Sequence, residues 1–393
     1  MQKHWPWWIV WLLLLTLAPQ AQEASQKVFV NRYPIILVHG FIGWGSTELM
    51  GYKYWGGMAL DIEKYLRKKN FEVYTATVGP ISSNHDRACE LFYQIKGGQV
   101  DYGVHHADQF KHARFGRVSA GLYQAWDRHR PVHLIGHSMG GQTCRMLVEL
   151  LAQDHFGVGT DTNWVKSVTT ISTPNNGTTL ATLVDNFSGG QAEKLVGGFL
   201  ALAGSSKDWY DFKMDQWHLK PRPDESMHEF LKRVDEVLGN TTDISLHDLL
   251  PRGAAEFNKR VQTFPKVYYL SYATEETYVM DKKTGFEWAE PTMNPMLWTF
   301  AYHMGRYQGP DVSPQQAWWQ NDGMVNTISM SGPFNATIVP YKGELMPGVW
   351  NYMGLQDGKD HGKIIGHYQE PWRQSDWLKK FYSDLANILY QLR

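Results

Sequence analysis

Cysteine is nearly absent: only Cys89 and Cys144 occur in 393 residues, too few for the stapled frameworks of small extracellular domains. Both fall in predicted helices, over 87–95 and 142–151, and are expected to be buried free thiols acting as small hydrophobes. An excess of charge is also missing. Charged residues are 20% of the chain and sum to a formal net charge of -1, which leaves no basic face for nucleic acid. Internal repeats and low-complexity tracts are lacking, and no apolar run reaches the roughly 20 residues needed to span a bilayer. The apolar run near the start is Trp5 to Leu17.

That run follows Lys3 and His4 and precedes the small, polar stretch Ala18-Pro19-Gln20-Ala21-Gln22. The order is that of a secretory signal peptide. We expect residues 1–24 to be a leader, cut somewhere between 18 and 25, and the product to be secreted. Aromatic residues, by contrast, are abundant at 14%, with 17 Trp. This suits apolar ligands and a large packed core equally well.

Residues 25–393 are expected to form one catalytic domain. Pro34-Ile35-Ile36-Leu37-Val38 and Val132-His133-Leu134-Ile135 are short apolar runs bounded by Pro or Gly, as in parallel strands buried on both faces. Further strands are expected over 167–171 and 267–271, with an apolar run over 336–339. Strands alternating with helical stretches predict a mostly parallel sheet covered by helices on both faces. The alternation breaks at about 80–118 and 185–262, read as insertions. Ala192 to Leu202, with Val196, Phe199 and Leu200, fits a mobile lid or a core helix equally.

Gly136-His137-Ser138-Met139-Gly140 fits G-x-S-x-G with a buried strand before it and a helix after it. That context makes it the nucleophile elbow of an α/β-hydrolase fold. A serine hydroxyl needs a histidine to take its proton and a carboxylate to hold that histidine. In this fold the order along the chain is Ser, acid, His. His361, in the Gly-flanked polar loop Asp357 to Gly362, is preferred over His303 and His367. Asp322 and Glu275 remain rival acids. The oxyanion hole needs two backbone N–H groups, assigned to Met139, after the nucleophile, and Phe41, after the first strand.

Several longer strings narrow the field: His39-Gly40-Phe41-Ile42-Gly43-Trp44-Gly45, Tyr54-Trp55-Gly56-Gly57, Asp86-Arg87-Ala88-Cys89-Glu90, Val100-Asp101-Tyr102-Gly103 and Asn321-Asp322-Gly323-Met324-Val325-Asn326-Thr327. From about Tyr33 to the C-terminus the chain resembles the zinc-containing lipases of thermophilic bacilli, relatives of the staphylococcal lipases. The resemblance implies a Ser138, Asp322, His361 triad, hydrolysis of triacylglycerols at an oil–water or membrane interface, and a helical lid near 190–220. It also implies a structural zinc on Asp86, His106, His112 and Asp248, a closed four-ligand set. The family's calcium site has Lys363 and Tyr368 at ligand positions here. An ammonium group cannot ligate a cation, so that site is expected to be lost, with Lys363 bonding a nearby carboxylate instead. The elbow itself is nearer the staphylococcal form, and no protein partner is expected. A phospholipase, an acyltransferase and a catalytically silent lipid-binding protein remain alternatives.

Overall fold

In the computed structural model the described residues are 29–46, 48–58, 60–188, 211–220, 222–239, 241–368 and 374–392. The expected leader and the segment 192–202, read as a lid or a core helix, lie outside them. Eleven strands are present among the described residues: β1 (Ile35–Val38), β2 (Val73–Ala76), β3 (Gly98–Asp101), β4 (Phe115–Ser119), β5 (Val132–His137), β6 (Val165–Ile171), β7 (Tyr268–Glu275), β8 (Thr277–Val279), β9 (Glu287–Ala289), β10 (Ile338–Pro340) and β11 (Trp350–Asp357). Seven of them form one sheet in the order β10-β11-β7-β6-β5-β1-β2, and every pairing in it is parallel. This is the α/β-hydrolase sheet read from the sequence.

Successive side chains on a strand point to opposite faces, and β1 shows what that requires. Ile36 and Val38 enter a core under the helices Asn84–Lys96 and Met139–Ala152, with Leu91, Phe92, Leu147 and Val148. Ile35 and Leu37 enter the opposite core, under Ile62–Lys68 and Gln374–Tyr390, with Ile62, Leu66, Leu378 and Leu385. All four β1 residues are buried, which explains why the run carries no polar alternation.

The stretch 80–118 is only partly an insertion. Its helix Asn84–Lys96 covers the sheet, whereas β3 and β4 pair antiparallel with each other and form no ladder with it. Asn321 to Thr327 is a turn that bends into a 3-10 helix at Thr327–Met330. The Asp322 carboxylate accepts N–H bonds from Met324 (3.0 Å) and Val325 (2.8 Å), which takes those donors out of any ladder. Among the described residues no helix is long and apolar enough to cross a membrane.

Candidate active site and metal centre

Ser138 follows β5 directly and the next helix begins at Met139. Its backbone is bent to φ 56°, ψ -136°, a region that L-residues occupy only when the surroundings impose it. Here the imposition is steric. A side chain on Gly136 would lie 2.4 Å from Gly140, one on Gly140 would lie 2.3 Å from the Val38 carbonyl oxygen, and one on Gly40 would meet the Ser138 Cβ at 2.5 Å. The glycines therefore let the turn pass between β1 and the helix. The helix presents its first amides at the site, where negative charge is favoured.

His361 and Asp322 are brought together. The imidazole Nδ1 donates to Asp322 Oδ2 at 2.8 Å, and the backbone N–H of His361 donates to the Asp322 carbonyl at 3.0 Å. Asp322 is fully buried, and Oδ2 also accepts from the Thr274 hydroxyl at 2.7 Å. Nδ1 thus carries the proton, leaving Nε2 with the lone pair. A β-bulge between Tyr352 and Leu355, with Gly354 at φ 103°, turns β11 just ahead of the loop that presents His361. The rivals have other surroundings. His303 lies in the helix Trp298–Met304, and His367 bonds the backbone oxygens of Lys53 and Tyr54. Glu275 ends β7, its pKa pushed up to about 7 by burial and by Asp357.

The elbow and the histidine loop are tied by a residue whose role no motif marks. His137 occupies the variable position before the nucleophile. Its Nε2 donates to the His361 carbonyl (3.0 Å) and its Nδ1 accepts from the Tyr54 hydroxyl (2.7 Å), which itself accepts from the Gly40 N–H (2.8 Å). Burial, with His361 and His367 nearby, holds the His137 pKa well below its ordinary value. The ring is therefore neutral, as one donating and one accepting nitrogen require. Arg87 joins the loops after β1 and β2 to the helix Met139–Ala152: its guanidinium donates to the carbonyls of His39 (2.5 Å) and Gly79 (2.6 Å), and its Nε to the Thr143 hydroxyl (2.8 Å). Phe41, Leu180, Val184, Leu249 and Met324 line an apolar cleft that reaches Ser138.

Lys363 is buried against Glu276 and donates to the Thr292 carbonyl at 2.6 Å. Glu276 also accepts the Asp360 N–H (2.8 Å), and Asp360 accepts those of Gly362 and Lys363. Tyr368 is exposed. The ammonium is thus one corner of a network that fixes the loop carrying His361. Removing one member of a buried ion pair strands the other, at about 3–5 kcal/mol. Lys363→Met is expected to lose that much by denaturant titration, with much of it recovered on adding Glu276→Gln. A loss below about 1 kcal/mol would remove this role.

Asp86, His106, His112 and Asp243 place one ligand atom each within 4.8 Å of one another. His106 Nε2 is 3.1 Å from both Asp86 Oδ1 and Asp243 Oδ1, and His112 Nε2 is 3.3 Å from Asp243 Oδ2 and 3.8 Å from Asp86 Oδ1. Four ligands at zinc distances in a tetrahedron stand about 3.3 Å apart. Asp86 Oδ1, His106 Nε2, His112 Nε2 and Asp243 Oδ2 are buried and have no hydrogen bond, the condition of a donor set built around a cation. Outer partners hold two of the ligands: His112 Nδ1 donates to the Ala113 carbonyl (2.9 Å), and Gln216 donates to Asp86 Oδ2 (2.9 Å). The residues fit a metal ion.

The fourth ligand corrects the sequence reading, which placed Asp248 there. Asp248 Oδ2 instead accepts the Asn84 N–H at 2.6 Å, where it serves the amide end of the helix Asn84–Lys96. Asp243 lies just before the helix Ser245–Leu249, and the bridge between Ser82 and Ile244 brings its segment against Asp86. Both acids precede apolar residues in one short segment, so spacing does not distinguish them.

Known proteins bear on this geometry. The model of the lipase-like, C-terminal domain family matches residues 31–393. A lipase of Staphylococcus epidermidis is 34% identical over 390 residues, which cover 94% of this chain but 55% of that protein. The chain thus spans about half the length of the curated relatives it matches. The structure of EstA from Clostridium botulinum superposes with a TM-score of 0.81 at 40% identity, covering 93% of this chain and 89% of that one. The Staphylococcus hyicus lipase structure does so with 0.80 at 32%, covering 93% and 97%. With the elbow, the acid and the histidine in the expected order on this sheet, the chain belongs to the lipase-like, C-terminal domain family.

Proposed function

We propose that this chain is a secreted lipase, residues 1–24 being its leader and 25–393 one catalytic domain, which hydrolyses triacylglycerol esters at an interface. The observation that carries the reading is the buried Asp322–His361 pair fastened through His137 to the elbow of Ser138. Ser138 attacks the ester carbonyl as the His361 Nε2 takes its proton. The N–H groups of Met139 and Phe41 receive the oxyanion. His361 returns the proton to the leaving alcohol, then activates the water that frees the fatty acid. The apolar walls formed by Phe41, Leu180 and Val184 suit an acyl chain.

Zinc held by Asp86, His106, His112 and Asp243 would pin the β3–β4 region to the segment before Ser245 and take no chemical step. Lys363, with its ammonium bonded to Glu276 and to the Thr292 carbonyl, would take the place of the calcium that the family resemblance implies near this position. The testing experiment is hydrolysis of a triglyceride series from short to long chains, with and without an interface, beside a phospholipid. Turnover of long chains that rises at the interface is expected. Turnover confined to the phospholipid, or absent throughout, would overturn the reading.

A further inference from the structure

Beside the first cluster lies a second set of donors. His85 and Cys89 are four residues apart on the helix Asn84–Lys96 and so share a face. His155 approaches from the turn after Met139–Ala152, its backbone N–H fixed to the Leu150 carbonyl at 3.0 Å. One ligand atom from each lies within 4.8 Å of the others. We propose that His85, Cys89 and His155 form a second metal site, for a borderline or soft divalent cation such as Zn²⁺.

Three observations support it. Cys89 Sγ is 3.8 Å from His155 Nε2, and sulfur and nitrogen bound to one tetrahedral zinc stand about 3.6 Å apart. His85 Nε2 donates to the Tyr102 carbonyl at 3.0 Å. That bond places the ring proton on Nε2 and leaves Nδ1 with the lone pair, the arrangement that orients metal-binding imidazoles. Finally, Gly103 makes room for the third ligand: a Cβ there would lie 2.8 Å from His155 Cε1. Cys89 is fully buried and the two histidines are half-buried; with three protein donors, water would complete the tetrahedron.

Thiolate and imidazole select zinc or softer ions over magnesium and calcium. Binding exchanges a proton for the cation: the Cys89 S–H bond breaks, the sulfur–metal bond forms, and one H⁺ leaves to solvent. The two sites differ in charge. Two carboxylates neutralise a dication on the first cluster, whereas a single thiolate leaves the second with one positive charge. Their histidines also stack, His85 on His106, with centroids 3.7 Å apart. Repulsion between two cations at this range makes the second equivalent the weaker one.

The test is titration of the chelator-stripped full chain with Co²⁺ alone, a reading of metal that does not depend on ester turnover. Two equivalents are expected. The weaker should release the Cys89 proton and bring a near-ultraviolet thiolate-to-cobalt charge-transfer band, which the first cluster, with only oxygen and nitrogen donors, cannot give. Cys89→Ser should remove the band and keep the tight equivalent. His155→Ala, a change at a partly exposed residue, should weaken the second equivalent at least tenfold. Absence of the band in the unaltered chain, or its survival in Cys89→Ser, would overturn the proposal. A single equivalent that carries the band would uphold this site and reject its neighbour.

Discussion

Replacing Ser138 with alanine is expected to lower ester turnover by roughly 10⁴- to 10⁶-fold, since nucleophile and base act as one unit whose loss is nearly complete when either is removed. The residual rate should come from the oxyanion donors and the binding cleft alone. The fold should not suffer. Ser138 is 8% exposed, and alanine keeps its Cβ in the slot left open by Gly40. Steady-state hydrolysis, with thermal melting and metal content as controls, decides the matter. A variant with intact folding that retains more than about a hundredth of the activity would mean that some other group attacks the ester.

Stripping the proposed zinc should have the second large effect, on stability. A cation present at a thousand times its dissociation constant adds about 4 kcal/mol to the folded state, equivalent to a melting shift on the order of 10 °C in a domain of this size. Without it, Asp86 and Asp243 are left buried face to face. Asp243→Asn is expected to lose the tightly held ion, and Asp248→Asn to keep it.

The Asp248 change should also move stability with pH. Burial raises its pKa from 3.8 to about 6, so the ionised form is the disfavoured one in the fold. Stability present below pH 3.8 is lost as the pH rises through 6. An uncharged amide avoids that loss, and Asp248→Asn should exceed the unaltered protein above pH 6 by on the order of 2–3 kcal/mol, with no gain below pH 4. Calorimetry across pH with elemental analysis reads both effects. An Asp248→Asn protein without metal, or an Asp243→Asn protein that retains it, would reverse the ligand assignment.

How much of this was legible beforehand depended on how locally each feature is written. The runs that became β1 and the start of β5 are almost wholly apolar, so burial on both faces marks them; β6 and β7 are nearly as buried but carry Ser and Thr, and their β-branched and aromatic residues are what signal a strand. β11 runs Trp-Asn-Tyr-Met-Gly-Leu-Gln-Asp and is half-exposed along much of its length; its polar residues and bulge erase the pattern. The elbow is a local motif and could be read directly. Asp322 was not separable from Glu275 by its surroundings in sequence; the family strings favoured it, and the fold supplies the contact. His137, Tyr54 and Arg87 act through bonds to distant residues, which no spacing encodes. The pair His85 and Cys89 did carry a helical spacing, but its third member, His155, is joined only by folding.

The bend at Ser138 has a cost that outlasts any single reaction cycle. Its φ of 56° and ψ of -136° suit glycine better than serine, and holding a side chain there costs of order 1–3 kcal/mol. The position proposed for the nucleophile is thus one where the polypeptide would rest more easily without a side chain. On the proposed mechanism, glycine here would gain robustness and forfeit livelihood, the hydroxyl being what recommends a serine.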